Sequence, residues 1–357
     1  MTSSDPGRDP RRPAAVPGLL PGGSAGAALG SVRGSLDAPR GHVRPEARAA
    51  AVVVMVLCAV VLVVLYVVFV TTATGQALDH AAFRGAMRGQ GELWRIASPV
   101  LDVVSEGFVV VGLALAVAVA IARRRWSLAF QAAVVIAGAN LSTQLLKHVL
   151  ARSDLGIGRA ANSFPSGHTT VAASVVVALV IAAPRRWRPG IAVAGAVYAA
   201  GTGISVLVGQ WHRVSDAVAA LVVVALWTAV ATLFVTRGSL DDVGTRRDRP
   251  YALRFLWGVG LVSATVAAVG GRNLAVRLDL ATVTSDDLLL AYVLGMVAVI
   301  AASCLALAVV LQLRQLVTLP REAVHVPPPG AQAPGAPPQP TPPQPGRSSP
   351  PSPPAYR

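Results

Sequence analysis

Residues 49–71 read AAAVVVMVLCAVVLVVLYVVFVT, an apolar run without a charged side chain. About 20 such residues are enough for a helix to cross the hydrocarbon core of a bilayer. Seven further stretches have the length and composition of spans, namely 99–122, 126–146, 167–183, 190–210, 214–236, 255–271 and 288–313. The chain is therefore predicted to be an all-α protein, a polytopic membrane helical bundle.

The composition of the 357 residues excludes an ordinary soluble enzyme. Hydrophobic residues make up 54% of the chain and charged residues only 13%, whereas a soluble domain is typically about 25% charged. The net charge of +14 comes from arginines in tails and short loops, so it favours a membrane surface and no nucleic-acid partner. Cys58 and Cys304 both fall inside apolar runs, so neither a disulfide nor a cysteine metal site is expected.

The predicted spans divide the chain into four segments. Residues 1–48 are rich in Pro, Gly, Ser and Arg, and residues 318–357 are dense in proline, so both are predicted to be disordered cytoplasmic tails. Residues 49–236 contain a predicted six-helix core. Residues 237–317 add a cytoplasmic loop and two additional C-terminal transmembrane helices.

The distribution of arginine predicts the orientation of the bundle. Three arginine-rich segments fall on one side of it, at 123–125, 185–188 and 237–254. The positive-inside rule assigns this side, and with it both termini, to the cytoplasm. The loops 147–166 and 211–213 then face outward. Thirty arginines and a single lysine, Lys147, are typical of a high-GC bacterial genome, so the predicted location is a bacterial plasma membrane.

The first outer loop carries groups suited to binding phosphate. Lys147 and Arg152 are cations that can neutralise phosphate oxygens. Further along, Pro165-Ser166-Gly167-His168 opens a predicted helix, whose free N–H groups and positive dipole end favour an anion.

The second outer loop supplies a histidine and a carboxylate. His212 and Asp216 are four residues apart, so they share one helical face if the helix starts by residue 212. A carboxylate bonded to one ring nitrogen fixes the tautomer and leaves the other nitrogen nucleophilic. His168, on another helix, is a candidate donor of the proton that a leaving alkoxide needs.

The order of these motifs resembles that of a known family. Lys147, followed by the PSGH tetrad at 165–168 and by His212-x-x-x-Asp216, is similar to the type 2 phosphatidic acid phosphatase superfamily. That superfamily includes lipid phosphate phosphatases, bacterial undecaprenyl-pyrophosphate and phosphatidylglycerophosphate phosphatases, glucose-6-phosphatase and vanadium haloperoxidases. The resemblance covers roughly residues 50–236.

The resemblance implies a role for each motif residue. His212 is expected to be the nucleophile that forms a phosphohistidine, with Asp216 as its orienting partner and His168 as the acid. The groups expected to hold the phosphate are Lys147, Arg152, Ser166 and Gly167. The resemblance implies no metal and no other cofactor.

Two positions depart from the family pattern. The family usually places an Arg-Pro pair where this chain has Asp154-Leu155, so Arg152 fills that role only if the loop is two residues shorter. The family also has an arginine at the position of Val206, after Ser205. Arg159 and Arg213 are the candidate substitutes.

The sequence therefore predicts an integral membrane phosphatase acting at the extracytoplasmic face. A polyprenyl diphosphate or polyprenyl-phosphate sugar is the leading substrate, followed by phosphatidic acid or phosphatidylglycerophosphate. One rival is a catalytically degenerate relative that acts as a lipid-binding scaffold. A transporter is disfavoured because the polar cluster lies at helix ends rather than at mid-membrane.

Two further polar groups lie in the predicted spans. Asp102 and Glu106, one turn apart, are either partners of a catalytic-loop arginine or a helix-end pair without a role. A second group is expected to bond between helices rather than to bind substrate, and comprises Asn140, Ser142, Thr143 and Gln144.

Overall fold

A computed structural model describes residues 45–89, 125–158, 161–236, 250–279 and 281–318, together with the single positions 111, 114 and 118. Regular structure within these ranges is entirely helical. The predicted span 99–122 with Asp102 and Glu106, the loop at 237–249 and nearly all of both tails lie outside the described residues, so those predictions stay predictions.

Eight α-helices are described: α1 Pro45–Tyr66, α2 Ala73–Gly85, α3 Trp126–Val149, α4 Gly167–Ala182, α5 Arg188–Val208, α6 Val214–Leu233, α7 Pro250–Arg277 and α8 Ser285–Thr318. A π-helical turn, Val67–Thr71, extends α1, and a short 3-10 helix, Ala86–Gly89, follows α2. Six of the helices, α1, α3 and α5 to α8, are long and apolar enough to cross a membrane, while α4 is apolar but shorter. The predicted all-α membrane bundle is confirmed.

Helix α2 lies in the stretch after the first span, where the sequence analysis predicts no helix. At 13 residues it is about 20 Å long, too short to cross a bilayer. Thr72 caps its start by accepting a hydrogen bond from the N–H of Gly75 (3.2 Å). The buried face of α2 includes Gln76 and Asp79, so it lacks the apolar periodicity by which an amphipathic helix is recognised.

The main hydrophobic cluster joins α3 to α6 with α8. Leu128 of α3, Val177 of α4, Leu221 of α6 and Leu307 of α8 are all fully buried in it. Helix α8 also bonds to α3 directly, because Arg314 Nη1 donates to Gln131 Oε1 at 3.2 Å. The last predicted helix is therefore part of the bundle interior rather than an addition at its edge.

Polar side chains link neighbouring helices inside this bundle. The hydroxyls of Thr143 and Thr170 lie 3.0 Å apart, and Asn140 Nδ2 donates to Ser174 Oγ at 3.2 Å. Ser142 accepts a hydrogen bond from the indole of Trp227 (3.0 Å). The expected interhelical role is confirmed for Asn140, Ser142 and Thr143.

The loops that carry the motifs meet at one end of the bundle. Tyr66, at the end of α1, donates to the carbonyl of Ala151 (2.8 Å), and Gln210 donates to the carbonyl of Phe83 at the end of α2 (2.6 Å). At the opposite end, Ala47 packs with Val235 and Val317. Because successive helices run in alternating directions, the predicted outer loops 147–166 and 211–213 lie together at the same end of the bundle.

Candidate active site

The turn between α5 and α6 brings His212 against Asp216, although not in the predicted way. Helix α6 begins at Val214, so the histidine lies outside it and the condition stated for a shared helical face is not met. Gln210 instead adopts a positive φ of 59°, and the N–H of His212 donates to the carbonyl of Val206 (3.2 Å). This turn folds the ring back, and its Nδ1 lies 3.3 Å from Asp216 Oδ2.

The carboxylate of Asp216 is fully buried and well supplied with donors. In addition to the imidazole, its Oδ2 accepts from Ser163 Oγ (2.6 Å) and from the backbone N–H of Arg213 (2.9 Å). Convergent donors favour the charged form of a carboxylate. A charged Asp216 at Nδ1 favours the tautomer protonated there, which leaves Nε2 of His212 with a free lone pair.

The start of α4 lies directly beside this pair. The backbone N–H of Ser166 donates to the carbonyl of Asp216 (2.9 Å), which joins α4 to α6. The Ser166 hydroxyl accepts from the N–H and the hydroxyl of Thr169 (3.4 and 3.1 Å) and is fully buried. Ser166 therefore caps the helix, and the amides of Gly167 and His168 remain without an intrahelical acceptor. The role of Ser166 in holding the phosphate stays a prediction.

Lys147 faces this helix start across a narrow gap. A Cβ placed on Gly167 would lie 3.4 Å from Lys147 Nζ, which is as close as van der Waals contact allows. Glycine therefore keeps the space in front of the ammonium group open. The ammonium group of Lys147 and the amides at the start of α4 therefore border the same space, as expected from the sequence.

His168 lies opposite His212. The two ring centroids are 6.2 Å apart with the planes at 65°, and the His168 ring stacks at 5.1 Å against Trp211. Nδ1 of His168 is buried and has no hydrogen-bond partner among the described residues. The structure thus brings the predicted nucleophile and the predicted acid to the two sides of one small volume.

Arg152 is the most unusual cation of the site. Its side chain is only 8% exposed, and none of its three guanidinium nitrogens has a hydrogen-bond partner in the part of the chain that the structure describes. Burial and the neighbouring Arg213 lower its pKa, while Asp79 and Asp216 act in the opposite direction. Arginine nevertheless stays charged in proteins, so this is a buried cation that lacks a bound acceptor.

The backbone on both sides of Arg152 is held from α1 and α2. Tyr66 donates to the carbonyl of Ala151, and Gln76 Nε2 donates to the carbonyl of Ser153, each at 2.8 Å. The N–H of Ser153 also donates to the carbonyl of Val70 (3.4 Å). These bonds fix the backbone on both sides of Arg152, which lies two residues earlier than the arginine of the family pattern.

The second departure from the family pattern is visible in the same region. Val206 is fully buried in the bundle, so that position contributes only a carbonyl. Arg213 lies at the site instead, where its Nη1 donates to Ser163 Oγ (3.2 Å). Of the two predicted substitutes, Arg213 is thus placed beside Asp216, whereas Arg159 lies outside the described residues.

Sequence reasoning missed one carboxylate altogether. Asp79 of α2 is 2% exposed and accepts hydrogen bonds from both the N–H (3.1 Å) and the hydroxyl of Ser215. Burial and the nearby charge of Asp216 raise the pKa of Asp79 to about 6. The available signal was the group of polar residues Gln76, Asp79 and His80 directly after the first span.

The described residues of the site differ from the side-chain clusters that bind metal ions in proteins. Within the described ranges, no cluster of three or more His, Cys, Asp or Glu side chains could hold a metal ion. The site instead combines cations, helix amides and two histidines, which are groups suited to binding and attacking a phosphate.

Comparison with models of protein families matches residues 128–239 to the PAP2 superfamily. The matched stretch runs from the start of α3 past the end of α6, and contains Lys147, the PSGH tetrad and the His212–Asp216 pair. The resemblance to the type 2 phosphatidic acid phosphatase superfamily that the motifs indicate is confirmed over these residues. Phosphatase activity on lipid-like phosphates is what a match to this superfamily implies. Comparison with curated proteins and with solved structures gives no match.

Proposed function

We propose that the protein is an integral membrane phosphatase that hydrolyses a lipid-linked phosphate monoester or diphosphate through a phosphohistidine at His212. The observation that carries this proposal is the contact of His212 Nδ1 with the buried Asp216, opposite the ring of His168. The superfamily match supports the reaction class, while the intermediate and the substrate are part of the proposal.

Phosphate binding comes first in the proposed reaction. Arg152 and Lys147 neutralise the phosphate oxygens, and the amides at the start of α4 donate hydrogen bonds to them. A buried cation without a partner costs several kcal/mol of desolvation, on the order of 3–5 when one member of an ion pair is missing. A bound phosphate would supply the acceptors that Arg152 lacks.

The chemical step then transfers the phosphoryl group in two stages. Nε2 of His212 attacks phosphorus as the bond to the lipid oxygen breaks, and His168 gives that oxygen a proton. Water next attacks the phosphohistidine and passes its proton to His168, which releases inorganic phosphate and restores both histidines. Asp216 stabilises the imidazolium that forms at His212.

The position of the site supports a lipid substrate. The catalytic groups lie at the ends of α3 to α6, where a headgroup can be reached while its hydrocarbon chains remain in the bilayer. The arginine distribution favours the extracytoplasmic face. A polyprenyl diphosphate or polyprenyl-phosphate sugar remains the leading substrate, followed by phosphatidic acid and phosphatidylglycerophosphate.

The test is phosphate release by the purified full chain in lipid nanodiscs from a panel of these lipids, with His212→Ala as the matched inactive control. We expect release from at least one lipid by the wild type and none by the variant. A folded wild type that binds a lipid phosphate but releases no phosphate from any of them would favour the scaffold alternative.

A further inference from the structure

Helix α2 contacts the start of α6 through a buried hydrogen-bonded pair, Asp79 and Ser215. The carboxylate accepts two hydrogen bonds from this one residue, from its backbone N–H at 3.1 Å and from its hydroxyl. Ser215 immediately precedes Asp216 and lies in the first turn of α6. Asp79 therefore holds the backbone on which the orienting carboxylate of the site is mounted.

Two backbone N–H groups at the start of α6 donate hydrogen bonds to two different carboxylates. Asp216 accepts from the N–H of Arg213, and Asp79 accepts from the N–H of Ser215. A negative charge at a helix N-terminus is favourable because it meets unpaired N–H groups and the positive end of the helix dipole. Loss of the contact would release the start of α6 in the region that aligns His212.

The charges around Asp79 come from two other elements. Asp216 and Arg213 act on it from α6 and its cap, and Arg152 interacts with it from the loop after α3. On its remaining side, Asp79 borders a cleft to which α7 and α8 contribute only uncharged residues, such as Ala291 and Gly295. Two carboxylates thus lie close together in a buried region, and among the described residues Asp79 has only Ser215 as its hydrogen-bond partner.

Such an arrangement is unfavourable for folding. Because the pKa of Asp79 is raised to about 6 from an ordinary value of about 3.9, the folded protein binds its proton more tightly than the unfolded chain does. Stability from this group therefore falls as the pH rises from about 4 to about 6, and its ionised form destabilises the fold at neutral pH.

We propose that Asp79 is a positioning residue that, through Ser215, holds the start of α6 so that Asp216 and His212 stay aligned for phosphoryl transfer. This inference rests on the proposed function and deepens it, because it assigns α2 to the catalytic unit. Asp79 itself touches no reacting atom.

The decisive variant is Asp79→Asn, measured in nanodiscs beside Asp286→Asn, which removes an exposed carboxylate at the start of α8. We expect kcat to fall about 10- to 100-fold for Asp79→Asn, the loss typical of a small misalignment of reacting groups, with KM changed less than about threefold. Thermal stability at pH 7.5 should be equal or higher, because the buried charge is gone. Asp286→Asn should leave kcat and KM unchanged and lower stability only slightly, because it removes a charge from the start of α8.

A second pair of measurements tests the route through Ser215. Ser215→Ala should reproduce part of the kcat loss, and the double variant with Asp79→Asn should lose no more than Asp79→Asn alone. Hydrogen exchange of peptides covering residues 212–217 should be faster in Asp79→Asn, and peptides from the far end of α6 should be unchanged.

Each outcome separates the two proposals. A wild type without turnover refutes the proposed function. An active wild type with unchanged kcat in Asp79→Asn, unchanged exchange at 212–217, or a kcat loss that only follows a lower melting temperature refutes the positioning role and leaves the phosphatase intact.

Discussion

Nδ1 of His212 lies 3.3 Å from the buried carboxylate of Asp216 although α6 begins only at Val214, two residues after the histidine. The contact depends on the turn at Gln210, which returns the ring to the helix start. The pair is therefore a product of the loop geometry as much as of the spacing of its two residues.

Removal of either member of this pair should impair the reaction to a different extent. His212→Ala should lose turnover and any covalent phosphoenzyme, because the attacking nitrogen is gone. Asp216→Asn keeps a hydrogen-bonding side chain but loses the charge that stabilises the imidazolium, so we expect a loss of about 100- to 10,000-fold. Rapid quenching with a labelled lipid phosphate measures both, and a phosphoenzyme in His212→Ala would contradict the assignment.

His168→Ala should be most harmful when the leaving group needs a proton. We expect a loss of about 100- to 10,000-fold on lipid substrates, the usual contribution of general acid catalysis. Activity should recover partly on p-nitrophenyl phosphate, whose leaving group needs little protonation. Equal losses on both substrates would remove the acid role from His168 and leave the rest of the mechanism in place.

Arg152→Ala should reduce kcat/KM about 100- to 1,000-fold, because charge-assisted hydrogen bonds to the phosphate are lost. The free protein should be as stable as the wild type or more stable, since Arg152 is a buried cation without a hydrogen-bond partner among the described residues. The exposed Arg84→Ala serves as the control and should change neither property. A destabilised Arg152→Ala with normal kinetics would show that the guanidinium has a structural role only.

The orientation of the bundle is open to cysteine labelling on intact cells. In a background without Cys58 and Cys304, an impermeant maleimide should label Leu155→Cys, in the exposed loop after α3, and should not label Arg186→Cys. This expectation follows from the arginine-rich segments on the opposite side. The reverse labelling pattern would place the site in the cytoplasm.

Turnover should survive EDTA and be inhibited by vanadate. The reason for the first expectation is that cations, amides and histidines of the chain itself suffice to bind and attack the phosphate. The second follows because vanadate readily adopts the five-coordinate geometry that an attacked phosphorus passes through. Loss of activity in EDTA with recovery on addition of Mg²⁺ or Mn²⁺ would require a metal in the mechanism.

The amino-acid sequence alone predicted the class of fold and identified most of the candidate site residues. Apolar runs such as 49–71 predict spans because the membrane requires a fixed length of apolar helix, whatever surrounds it. Lys147, the tetrad at 165–168 and the pair His212 and Asp216 were also found from the sequence, since motif spacing is a local property of the chain. The structure brings these groups together at one end of the bundle.

The tertiary structure decided what local patterns do not contain. Helix α2 was missed because its buried face combines small residues with Gln76 and Asp79. Its contact from Asp79 to Ser215 joins residues 136 positions apart. The burial of Arg152 depends on Tyr66 and Gln76, which fix the neighbouring backbone from other helices. Such contacts arise only when distant helices pack, because the free energy that holds a buried polar group comes from partners that the surrounding sequence does not encode.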